Sequence, residues 1–118
     1  MISVAAFRKL AMAQTGAIEA PHFDLTSFRA NGKIFATLSE KDARAMVKLT
    51  PEQQEMLTTA EPDMFQRIPN AWGDKGATWL HLKHADRAAA ASALHTAWTN
   101  VTAPKPKKPQ KKPTKRAL

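Results

Sequence analysis

His81 and His84 stand three residues apart with Asp86 close behind, the nearest approach in this chain to a metal-ligating cluster. Zinc takes such nitrogen and oxygen donors when they converge on one tetrahedral point. Here His81 falls on a predicted strand and His84 in the turn after it, so the pair has no shared helical face to present to an ion. His22 and His95 are remote in sequence, and the absence of cysteine removes thiolate sites, disulfides and cysteine nucleophiles. Ordinary surface or half-buried histidines are the expectation, with no metal and no cofactor.

Nucleophilic and acid–base chemistry have no better footing. Ser27, Ser39 and Ser92 lack a glycine-flanked elbow, and the carboxylates Glu40, Asp42, Asp63 and Asp74 sit in turns without a pairing pattern. The glycines of Trp72-Gly73-Asp74-Lys75-Gly76 lack both the spacing of a phosphate-binding P-loop and its Lys-Ser/Thr ending. A tight turn with a packing tryptophan accounts for them. The pattern points away from an enzyme and away from a small-molecule substrate.

The basic residues remain. The chain carries 18 Lys and Arg against 10 Asp and Glu, a formal charge of +8. Seven of those cations (Lys105, Lys107, Lys108, Lys111, Lys112, Lys115 and Arg116) lie in residues 103–118 with no acid among them, leaving 11 basic residues against 10 acids in the rest. The body is thus nearly neutral, and the electropositive character belongs to the tail. Within the body, Arg29, Lys33, Arg44 and Lys48 fall on adjacent predicted strands and are the candidates for facing a phosphate backbone. Scattered charges on a solvated sheet face are the plainer alternative.

Pro104, Pro106, Pro109 and Pro113 interleave with the tail lysines. Residues 103–118 therefore read as an extended, disordered segment of partly polyproline II character. Lysines on such an arm contact phosphates and read no base edges, so binding would be blind to sequence. A solubility tail, or one that takes any polyanion including RNA, fits the same composition.

The elements that would carry these residues are legible in outline. A first helix is predicted from about Ser3 to Gln14, with Val4, Phe7, Leu10 and Ala11 inward, Ser3 as cap and Gly16 as stop. Strands follow at about 20–24, 26–30, 33–38 and 43–49, the middle pair joined by Asn31-Gly32. That dipeptide suits the two positive φ angles of a type I′ turn. The two-residue turn sets Ala30 against Lys33, Phe28 against Phe35 on one face, and Arg29 against Ile34 on the other.

Thr50-Pro51-Glu52-Gln53 carries a capping box and opens a short helix with Met56, Leu57 and Ala60 inward. Met64–Ile68 reads as a fifth strand, 70–76 as a loop, and Ala77–Leu82 as another strand. A last helix is capped by Asp86 and runs to about Asn100, with Leu94, Ala97, Trp98 and Val101 as its core stripe. Trp98 and Trp79 are expected in the core, while Trp72 is left open between packing and base stacking. The fold class is α+β: an antiparallel meander flanked by an N-terminal, a short middle and a C-terminal helix.

The residues Ser27, Phe28, Arg29, Gly32, Lys33, Phe35, Pro51, Glu52, Trp72, Gly73, Gly76 and Trp79, in the stretches SFRANGKIFATL, TPEQQ and NAWGDKGATWLHL, resemble the MmcQ/YjbR family of small bacterial proteins. The resemblance covers about residues 3–101. It implies a fold similar to double-wing DNA-binding domains, and similar also to frataxin-type and secretion-chaperone proteins.

Residues 1–102 are accordingly expected to form one MmcQ/YjbR-like domain that associates with DNA, or RNA, without catalysis. An interaction module binding a protein partner along the sheet is the alternative, and a monomer is favoured. No apolar run is long enough to cross a bilayer, and Arg8 and Lys9 interrupt the first apolar stretch where a secretory signal would not. A bacterial cytoplasmic setting, with nucleoid association, is the expectation.

Overall fold

Asn31 (φ 54°) and Gly32 (φ 74°) both take the left-handed angles that a type I′ turn requires. They join β2 (Leu25–Ala30) to β3 (Lys33–Ser39), with β1 (Ile18–His22) before and β4 (Arg44–Lys48) after. Each strand pairs antiparallel with the next. The computed structural model describes residues 1–103. The rest of the lysine–proline tail, with the disorder expected of it and all seven of its cations, lies outside the described residues.

The register corrects one expected pairing. Ala30 faces Lys33 and Arg29 faces Ile34 as the turn dictates, but Phe28 faces Ala36 and not Phe35. Phe35 is the extra residue of a β-bulge, which bends a strand and tightens its twist. Both phenylalanines end fully buried, and Phe28 meets Phe7 edge-on with ring centres 6.1 Å apart.

The remaining elements are α1 (Val4–Met12), α2 (Pro51–Ala60), β5 (Phe65–Arg67), α3 (Ala71–Asp74), β6 (Ala77–His81), a 3₁₀ turn (Leu82–His84) and α4 (Arg87–Thr102). The helix starts follow their caps. Ser3 accepts from Ala6 N, Asp86 from Ala89 N, and Thr50 and Gln53 complete a reciprocal capping box. The sheet order is β1-β2-β3-β4-β6-β5, so β6 inserts between β4 and β5 and all six strands are antiparallel.

Helices α1 and α4 pack on one side of this sheet. Phe7 and Ala11 of α1 and Leu94, Ala97 and Val101 of α4 close over Phe28, Phe35, Leu38, Val47 and Leu80. Trp98 packs against that core at its edge, and its indole N–H donates to Thr15 O at 2.8 Å.

Helix α2 does not present the stripe expected of it. Met56 is 62 % exposed and Ala60 is exposed, Leu57 is half-buried, and the buried residue is Gln54. Its amide is satisfied by acceptors on α3 and β6, so burying it costs little. Residues 70–76, expected as a loop, contain the single turn α3, capped by Asn70. No helix among the described residues is long and apolar enough to cross a membrane.

Candidate functional site

Alternation along each strand sends half of the side chains away from α1 and α4. The pairings give that open side its rows. One row is Ser27, Thr37, Met46, Trp79 and Gln66; a second is Ser39, Arg44 and His81; Arg29 pairs with Ile34, and Lys48 with Ala77. None of the strand residues on this side is acidic. Glu19 points to the other side, where it pairs with Arg8 of α1 at 3.2 Å.

A groove of about 460 Å³ runs across this face. Leu25, Ile34, Met46, Ile68, Trp72 and Trp79 make it largely apolar, and Lys48 and Lys75 stand at its margin with no carboxylate in the lining. Its volume is within the range of roughly 300–1,000 Å³ typical of ligand clefts. Trp72 is 69 % exposed at its mouth, not packed as the turn reading had it.

The turn that carries Trp72 is held without help from the indole. Asn70 Oδ1 accepts from Gly73 N at 3.1 Å, and Gln54 Nε2 donates to Gly73 O at 2.9 Å and Ala77 O at 3.0 Å. Both glycines are steric requirements. A Cβ on Gly73 would lie 1.5 Å from Ile68 O, and one on Gly76 (φ 112°) 2.0 Å from Leu49 O. Arg67 and Asp74 add an exposed ion pair beside the turn.

Trp79 and Arg44 form a second fixed feature. The guanidinium carbon lies 3.9 Å from the centre of the indole ring, a cation–π contact, and Asp42 lies 3.7 Å from the same guanidinium. Trp79 is therefore half-buried under a cation on the open face and not in the core as expected. Beside it, His81 Nε2 is 2.8 Å from Gln66 Oε1. Burial, the Arg44 charge and then His84 hold the His81 imidazole below its ordinary value of 6.5.

The four body cations singled out by sequence divide. Arg29, Arg44 and Lys48 share the open face; Lys33, opposite Ala30 at the hairpin tip, belongs to the helix side of the sheet. Arg29 Nε donates to Ser27 Oγ at 3.2 Å. Lys75 lies outside the strands, where strand periodicity gives no signal, and nothing in the pattern of α2 marks Gln54 as its buried residue. The glycine spacing around Trp72 was the available signal for both. Among the described residues no group of three His, Asp or Glu is placed to hold a metal ion.

These features define a small α+β protein whose sheet is covered by helices on one side and open, aromatic and basic on the other. The chain belongs to the YjbR family, whose model matches residues 12–100. Its fold is similar to that of Deinococcus radiodurans protein DR2400, of the DUF419 domain, known from a crystal structure. The TM-score is 0.73 at 17 % sequence identity, over 87 % of this chain and 80 % of that one. At that identity the likeness concerns the fold alone. None of the curated proteins matches the sequence.

Proposed function

We propose that this protein associates with nucleic acid, largely without regard to sequence, and acts by binding and not by catalysis. The observation that carries the reading is the charge on the open face. Lys48 and Lys75 line the groove, Arg29 and Arg44 stand on the same face of the sheet, and no acid lines the groove or projects from the strands beside it. Seven more cations lie in residues 103–118. Phosphates are the partner chemistry such a distribution attracts, and Lys and Arg without a built hydrogen-bond frame read little else. A protein partner is the second reading, favoured by the apolar lining of the groove, which gives an extended peptide a place to bury side chains.

Binding to duplex DNA across a salt series tests the proposal. Log affinity should fall linearly with log salt, by about 0.9 for each phosphate neutralised. The seven tail cations allow a slope of up to about −6, and deletion of residues 104–118 should remove most of it. In that truncated protein, Arg29→Ala, Lys48→Ala and Lys75→Ala should each reduce the remaining slope by about 1. No binding by the full chain even at low salt would refute the reading.

A further inference from the structure

We propose that the groove accepts unpaired bases of a single-stranded nucleic acid, with Trp72 as the platform on which a base stacks. This deepens the nucleic-acid reading above and rests on it. Trp72 contributes nothing evident to the fold. It is 69 % exposed, while its turn is already held by Asn70, by Gln54 and by the close approach of Gly73 to Ile68. The indole is thus presented on a fixed support at the mouth of an apolar cleft. Groups arranged before binding lose little entropy when a ligand arrives.

The chemistry of the cleft selects among nucleic acids. Met46 and Ile34 give it an apolar floor, and Lys48 and Lys75 put two ammonium groups at its margin. A duplex keeps its bases stacked inside and offers phosphates outside, so it has nothing to place on an exposed indole. A single strand offers both, its bases to the aromatic surface and its phosphates to the lysines, which is how strand-binding grooves combine the two. Apart from the two lysines, the polar side chains of the lining are His22, Thr37 and Asn70, so the preference is for strandedness more than for sequence. An acidic polypeptide would satisfy the lysines but gain little from stacking on Trp72.

The test uses the full chain and three probes at one salt concentration: a thymidine oligonucleotide of about 15 residues, the same oligonucleotide annealed to its complement, and poly-glutamate. At about 1–3 kcal/mol per stacked base, Trp72→Ala should weaken single-strand binding roughly 5- to 150-fold. Duplex affinity, the salt slope and the melting temperature should stay as in the wild type, and Trp72→Phe should keep most of the affinity. If Trp72→Ala leaves single-strand affinity within about twofold while both nucleic acids still bind, the inference fails and the nucleic-acid reading stands. If neither nucleic acid binds, both fail. If poly-glutamate binds as tightly as the oligonucleotide and loses as much on Trp72→Ala, the groove serves an acidic polypeptide and the inference is overturned.

Discussion

Gln54 Nε2 lies 2.9 Å from the carbonyl oxygen of Gly73, and the same amide reaches Ala77 O at 3.0 Å and Thr78 Oγ1 at 3.2 Å. One buried side chain of α2 thereby fixes the α3 turn to the start of β6 and sets where Trp72 stands. Replacing it with alanine removes the side-chain donor that ties α2 to both carbonyls and leaves each with one backbone donor, Gly76 N at Gly73 O and Ile68 N at Ala77 O. Gln54→Ala should cost about 1–3 kcal/mol in denaturant unfolding. It should also loosen the turn, visible as faster amide exchange at Gly73 through Gly76.

The glycines should separate into two classes. Gly32 has open space around it, so Gly32→Ala carries only the strain of positive φ, about 1–2 kcal/mol. Gly73→Ala must displace backbone, since its Cβ would meet Ile68 O at 1.5 Å. A loss of roughly 3 kcal/mol or more, or no folded protein, is expected there. Equal melting temperatures for the two variants would contradict the close approach at Gly73.

His81 should make stability depend on pH in a predictable direction. Its folded pKa is lowered, by burial first and by Arg44 and His84 after it. The unfolded chain therefore takes up the proton near pH 6.5 while the folded one does not. The stabilisation is complete above pH 6.5 and declines as pH falls below it, until His81 protonates in the folded state as well. His81→Gln should flatten that decline in a series of melts. Arg44→Ala should move the His81 NMR titration midpoint upward, towards 6.5.

Among the described residues, two other than Gly and Asn hold left-handed backbone: Phe23 (φ 60°), 92 % exposed, and Ala43 (φ 50°). A bulky side chain is strained there, and Phe23 gains no burial in return. Phe23→Asn and Ala43→Gly should each raise stability by about 0.5–1 kcal/mol. A lower melting temperature for Phe23→Asn would mean that its contact with His22, 4.9 Å between ring centres, outweighs the strain.

What the sequence determined by itself is local. The type I′ turn at Asn31-Gly32, the caps at Ser3, Thr50 and Asp86, and the buried stripe Leu94, Ala97 and Val101 each depend on residues within a turn or two of one another. Their chemistry is complete in a short stretch of chain, and so it is readable there. The tertiary structure alone decided that β6 would enter between β4 and β5, that Phe35 would bulge, and that Trp79 would lie under Arg44 on the open face. The candidate site divides the same way. Arg29, Arg44 and Lys48 were identifiable as strand cations, but a strand pattern does not say which of its two faces will be roofed by helices. That choice follows from long-range packing of α1 and α4. It sent Lys33 to the other side and brought Lys75 and Trp72, from a turn some 25 residues further along, to the same groove.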